Sequence, residues 1–179
     1  MNLQDLPPGF DDPVDALLGF HRRIERQLAA LGKMPCELEL NGVDAHATAA
    51  AASILEFFSN TLAVHHADEE ELLPLLQMRV ANPMERESLR ELRHRLETEH
   101  REMDRTWRGL RRPLEAIAEG MHRNLPCDLV QYFRASHSTH ISLEEAGLHV
   151  VAARRLLPGD RAALGRGMAA RRTRKYRFQ

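Results

Sequence analysis

Apolar residues recur along this chain at helical spacing, and the breaks between runs carry cap-and-proline signatures. Asp11-Asp12-Pro13 opens the first run, in which Leu17, Leu18, Ile24, Leu28 and Leu31 form a stripe. Gly32 is expected to end it, and Lys33 to Gly42, with Pro35 and Asn41, reads as a loop. A second helix is expected from about Asp44 to Val80, its stripe carried by Ile54, Leu55, Phe58, Leu62, Leu72 and Leu76. Pro74 is expected to kink it or end its regular part. Asn82-Pro83 repeats the start signal. Leu89, Leu92, Leu96, Met103, Trp107 and Leu110 then share one face; Pro113 should break the ladder and Gly120 with Asn124-Leu125-Pro126 close it. A fourth helix is expected from Pro126 to about Leu157 and a short fifth one from Pro158-Gly159-Asp160 to about Arg171. No stretch alternates with the period of a strand. The pattern predicts an all-α protein, an up-and-down four-helix bundle (about 13–157) with a short C-terminal fifth helix (about 160–171) and a basic tail (172–179), in one domain over 1–179.

Composition narrows the function classes. The 179 residues are 43% hydrophobic and 28% charged, with a formal net charge of −1 that exerts no pull toward nucleic acid or membrane. The two cysteines, Cys36 and Cys127, are far apart, which argues against a disulfide framework or a thiolate zinc site. No apolar run reads as long enough to span a bilayer, and the acidic, Pro-rich Met1–Asp15 is no signal sequence. A reducing, cytoplasmic location is expected.

Histidine, with ten copies, is the unusual component. His65 and Glu69 are four apart on the second expected helix, and His140 and Glu144 four apart on the fourth. Residues at that spacing project from one face, so an imidazole and a carboxylate can reach a common point inside a bundle. The first and third helices offer His21 and His100. Residues level with each other in antiparallel neighbours lie about equally far from the connecting turn. The midpoint of His21 and His65 is position 43, that of His65 and His100 falls between Asn82 and Pro83, and that of His100 and His140 is Gly120: each lands on a predicted break. Four histidines and two carboxylates at one level suit a pair of first-row transition metals, with Glu69 and Glu144 able to span both.

These segments resemble the hemerythrin-like (HHE cation-binding) family over nearly the whole chain. The matching stretches are His21-Arg22-Arg23-Ile24-Glu25; Phe57-Phe58 with His65-His66-Ala67-Asp68-Glu69-Glu70 and Leu72-Leu73-Pro74; Glu99-His100-Arg101-Glu102-Met103-Asp104; His140-Ile141-Ser142-Leu143-Glu144-Glu145; and Leu164 to Arg172. The resemblance implies two non-haem iron ions, oxo- or hydroxo-bridged, held by His21, His65, Glu69, His100, His140 and Glu144; relatives usually read Leu-Phe-Pro one residue further from the second-helix motif, which leaves the pairing His66/Glu70 open beside His65/Glu69. It implies dioxygen, peroxide or nitric oxide as the small ligand. Leu96 and Asp104 stand one turn either side of His100, where oxygen carriers of the family have a fifth histidine, and the chain shows no cysteine-containing N-terminal domain of the cluster-repair kind.

Three function classes follow: reversible binding or sensing of the small ligand, a peroxidase- or oxidase-type enzyme, and an iron donor in iron–sulfur cluster repair. Binding or sensing is preferred, since no separate catalytic acid or substrate-pocket motif stands out. His66, Glu70 and Glu145 are expected to flank the ligands; His94, His137 and His149 to be solvated or capping; His46 and His122 to lie at the surface. Trp107, Met103 and Tyr132 are expected in core packing, and Cys36 and Cys127 in or beside loops at one bundle end.

Overall fold

The computed structural model describes residues 10–121 and 124–175, with side chains up to Arg172 in the last helix; His122 and the chain end from Tyr176 lie outside them. Among the described residues the chain is all-α. Helix α1 is Pro13–Asn41, α2 is Ala45–Arg79, α3 is Pro83–Ala118, α4 covers 127–155 and α5 is Pro158–Lys175. The first three predicted starts are made by the predicted residues. Asp12 Oδ1 accepts from the Val14 N–H at 2.8 Å, Asp44 Oδ1 from Ala47 at 2.8 Å, and Asn82 Oδ1 from Met84 at 2.8 Å. These bonds satisfy amides that have no partner inside the helix. The turn after α1 falls at Gly42, whose φ of +70° belongs to the left-handed region that favours glycine.

Two helical breaks expected from the sequence are absent. α1 runs on through Gly32 and Pro35 to Asn41, where a loop was expected. Leu31, Met34 and Leu38 continue the buried stripe. Their burial is worth about 1.5–3 kcal/mol each, against about 3 for an interior proline and about 1 for glycine. Packing wins. Gly32 has another role: a Cβ there would meet the Arg134 guanidinium at 2.6 Å, so the glycine lets that side chain pass. In the same way α3 continues through Pro113, which is flanked by the fully buried Leu110, Leu114 and Ile117. α5 reaches Lys175, beyond the Arg171 expected. Cys36 lies inside α1 rather than in a loop; Cys127 opens α4, and both thiols are exposed and free.

Two helices contain one wide, π-helical turn each: Phe57–Thr61 in α2 and Glu145–His149 in α4. Such turns shift the phase of everything that follows. α2 is also long and apolar enough to cross a membrane by length and composition, where the sequence reading saw no such run. Its alanines at 45, 47 and 49–52 raise the mean hydropathy without adding bulk.

The chain packs into two compact units. One gathers the segment ending at His21 with Ala63–Arg95 and the segment from Leu143. Its core includes Leu17, Phe20, Leu72, Leu76, Leu148 and Met168, and α5 is tied in by Arg79, whose guanidinium donates to both Asp160 oxygens at 2.7 and 2.8 Å. The other comprises Arg22–Leu62 and Leu96–Ser142. An aromatic cluster centres it: Phe133 lies 5.1 Å from Phe58 and 5.8 Å from Trp107, ring centre to ring centre.

Phe133→Ala should therefore destabilise the protein by about 3–5 kcal/mol. Met84→Ala, at a position 81% exposed, should change stability by less than about 0.5 kcal/mol. Urea unfolding followed by circular dichroism measures both, and equal midpoints would contradict the assignment of this core.

Candidate metal centre

The first unit brings His21, His65, Glu69 and Glu144 together, each offering a donor atom within 4.8 Å of the others. His65 and Glu69 come from α2 at the predicted spacing of four, with Nε2 of His65 2.7 Å from Oε1 of Glu69. His21 arrives from α1, its Nε2 3.1 Å from Oε2 of Glu144 and 4.0 Å from Oε1 of Glu69. All four side chains are buried, Glu69 with 1% and Glu144 with 0% of its surface exposed. Of the neighbours that could have shifted the register, Glu70 is exposed, and His66 is half-buried with its ring 6.0 Å from that of His65.

In the second unit, His100 and His140 bring their Nε2 atoms within 2.9 Å of each other. The Nδ1–H of His140 donates to Glu99 Oε2 at 2.9 Å, which turns its Nε2 toward His100. His21 is held the same way in the first unit, its Nδ1–H donating to Glu145 at 3.0 Å and leaving Nε2 to face Glu69 and Glu144. A carboxylate behind an imidazole fixes its tautomer and makes the forward nitrogen more basic, as outer partners of metal-binding histidines do.

The donor set fits transition-metal ions. Two donors about 2.1 Å from one ion and roughly at right angles lie about 3 Å apart. The separations of 2.7 and 3.1 Å in the first unit and 2.9 Å in the second fall at that value. Imidazole with carboxylate is the ligand chemistry of iron, manganese and zinc.

Electrostatics point the same way. Burial alone lowers the pKa of His21, but the Glu144 and Glu69 carboxylates facing its Nε2 outweigh that and push it up from 6.5 to about 10. Burial would raise Glu69; the charge of His65 and hydrogen bonds from His21 and His65 hold it well below the usual carboxylate range. Two buried carboxylates here draw positive charge to themselves, and the His21 proton supplies it.

Several neighbours lie where the sequence reading did not put them. His137 and His149, expected to be solvated or capping, are buried. His137 follows Phe133 by four and precedes Glu144 by seven on the inward stripe of α4, and its Nδ1–H donates to the Phe133 carbonyl at 2.9 Å. His149 stacks on His21, ring centres 5.1 Å apart. Burial, then the charge of His21, lower its pKa to about 4, so it stays neutral. Phe20 stacks on His65 at 4.5 Å. Asp68, fully buried beside Glu69, is met by Arg171 at 2.6 Å and Arg172 at 2.8 Å from α5. Tyr132, expected in the core, is 48% exposed and donates to Glu102 at 2.7 Å. Glu99 was passed over because no histidine lies four residues from it; its adjacency to His100 was the available signal. His46 and His94 are exposed, as expected.

Residues 12–152 match the model of the Hemerythrin HHE cation binding domain. The chain belongs to this family. Its fold is accordingly the hemerythrin-like helical bundle, all-α, and its buried histidine and glutamate clusters are the cation-binding element of an HHE domain. The chain is also similar to a protein of Haemophilus influenzae described as uncharacterized, with 28% identity over 165 residues, 91% of each chain.

Cation binding should expel the His21 proton. Its raised pKa contributes stability to the metal-stripped protein that is fully present below 6.5 and lost as pH rises through about 10. Uptake at pH 7 should release about one proton, and apparent affinity should rise by up to about tenfold per pH unit below that upper value. Calorimetric titration with zinc in buffers of different ionisation enthalpy measures the release. A pH-independent affinity would contradict the protonated His21.

Proposed function

We propose that this HHE-domain protein holds a pair of iron ions and binds or senses dioxygen, peroxide or nitric oxide there. In this reading His21, His65, Glu69 and Glu144 of the first unit and His100 and His140 of the second would hold the ions. The observation that carries it is the burial of Glu69 and Glu144 against neutralising imidazoles, a costly arrangement that a resident cation relieves. The helical register supports a ligand role for both carboxylates, since each follows a histidine by one turn on its own helix. When bound, such a pair supplies redox electrons and an exchangeable position for a small ligand.

The chain's own part is to hold the donors. Glu145 and Glu99 fix the tautomers of His21 and His140, while the ring of Phe20 lies flat against His65 and limits its rotation. The two free cysteines fit a reducing cytoplasm, which belongs to the same proposal.

One observation favours the enzyme alternative. A cavity of about 280 Å³ lined by Glu99, Glu102, Met103, Tyr132, Ser136 and Thr139 adjoins the Glu99–His140 pair. It offers hydroxyl and carboxylate groups to a small polar reductant. Iron donation to cluster repair has no such feature behind it. Anaerobic protein exposed to air separates the readings: optical bands that reverse under vacuum support binding or sensing, whereas multiple turnovers with peroxide and a reductant support the enzyme.

Replacing His65 or His140 by Ala should lower iron content from about two per chain to one or fewer. Glu69→Ala should weaken binding by more than about tenfold and Glu70→Ala by less than about twofold. Metal analysis of the purified variants decides; undiminished iron in both histidine variants would sink the ligand assignment.

A further inference from the structure

His149 has no task in the reading above, yet it is buried in the first unit with 4% of its surface exposed. Among the described residues neither of its ring nitrogens makes a hydrogen bond. A neutral imidazole has one N–H and one lone pair, and burying both without partners is costly. Packing alone is better served by a leucine or phenylalanine. Such a histidine is kept where one of its nitrogens finds a partner in the working protein.

Its placement depends on a backbone feature. His149 closes the π-helical turn Glu145–His149, five residues after Glu144. In a regular α-helix five residues turn the chain about 140° away from the starting direction. The wider turn, with its i to i+5 ladder, brings residues five apart back over one another. The local backbone of α4 thus departs from the ordinary helix in the one stretch that carries His149 to the face of Glu144.

Distance supplies the third line. An imidazole bound through a nitrogen about 2.1 Å from an ion has its ring centre about 3.3 Å from that ion, so two such rings about 100° apart have centres about 5 Å apart. His21 and His65 stand 5.0 Å apart, and His21 and His149 stand 5.1 Å apart. The edge-on pair His21–His65, at 87°, has the separation of rings sharing one ion; His149 stands equally near His21 but is stacked on it, and reaches such an arrangement only by turning its ring.

We propose that His149 is a further nitrogen donor to the cation held by His21, His65, Glu69 and Glu144. This rests on the cation-site reading above and adds a residue to it. That group offers four donors. Iron and cobalt commonly take about five or six, and His149 fills a remaining position. Its ring lies nearly parallel to His21, at 16°, so binding turns it out of that stack about its own side-chain bonds. An incoming small ligand competes with His149 for this position, which makes the histidine a determinant of how readily the ion is reached.

Cobalt(II) is the probe, because its absorption reports coordination number and its bound imidazoles give strongly shifted N–H proton resonances. Wild-type protein, His149→Phe and His149→Gln are compared, with circular dichroism to establish folding. The expected result is loss of one shifted N–H resonance in both variants, stronger visible absorption from the lower coordination number, and affinity reduced about tenfold or more. Added imidazole should restore the wild-type spectrum in His149→Gly, where it can enter the space left. Unchanged resonances and affinity in whichever variant folds would overturn the assignment while leaving the cation site intact. A wild-type protein that binds no cobalt would overturn the cation-site reading as well.

Discussion

Two carboxylates buried where water cannot reach them set the terms for much of this protein. Glu69 and Glu144 are essentially without exposed surface. An ionised carboxylate in such a place costs several kcal/mol unless positive charge and hydrogen-bond donors compensate. The compensation comes from imidazoles on separate stretches of chain, so α1, the second half of α2 and the end of α4 must be held in register to within a fraction of an ångström. Phe20 against His65, the Arg79–Asp160 fork and the clasp of Arg171 and Arg172 on Asp68 all serve that register. An imidazole can exchange its proton for an ion, which a guanidinium cannot do at any ordinary pH. The pocket is thereby suited to a cation that comes and goes.

Much of this was legible because the signals are local. Asp12, Asp44 and Asn82 cap helices in the way such residues do before a proline or an alanine-rich run, and the spacing of four in His65/Glu69 needs nothing beyond one helical turn. The midpoints between histidines fall at or beside the observed turns because long helices with short connections leave little freedom in register. The failures have a common cause as well. Gly32, Pro35 and Pro113 were read by intrinsic propensity, and the burial of Leu31, Met34 and Leu114 outweighs it. The burial of His149 was illegible because a π-helical turn changes the phase of α4, and no single residue type announces one. His137 was misplaced by judging its phase alone, without following the stripe from Phe133 to Glu144. Glu145 was expected to flank the ligands and does, against His21, whereas the role of Glu99 depends on a long-range contact with His140 that sequence spacing does not encode.

Family membership secures the cation-binding character and leaves the chemistry open, since one fold serves several reactions. The structure divides the question in two. The first unit carries the buried carboxylates and a proton-bearing His21; the second carries a histidine pair backed by Glu99, with a cavity beside it. A binding protein needs an exchangeable position and control over access to it. An enzyme also needs somewhere for a reductant to rest, and the cavity beside Tyr132 and Glu102 is the feature that the enzyme alternative rests on.

The contrast between neighbouring acids sharpens the case for an exchangeable cation. Asp68 and Glu69 follow one another on α2 and are equally buried. Asp68 meets two guanidiniums from α5, at 2.6 and 2.8 Å, charges that are permanent and fixed in place. Glu69 meets the imidazoles of His21 and His65. If both acids served only to hold helices together, arginine would be the stronger answer at each, because its planar fork binds a carboxylate with less loss of freedom. The chain uses that answer at one position and not at the next. At Glu69 the positive partner is one that can give up its proton, and that difference, within a single residue step, supports the proposal of a ligand at Glu69 beside a structural ion pair at Asp68.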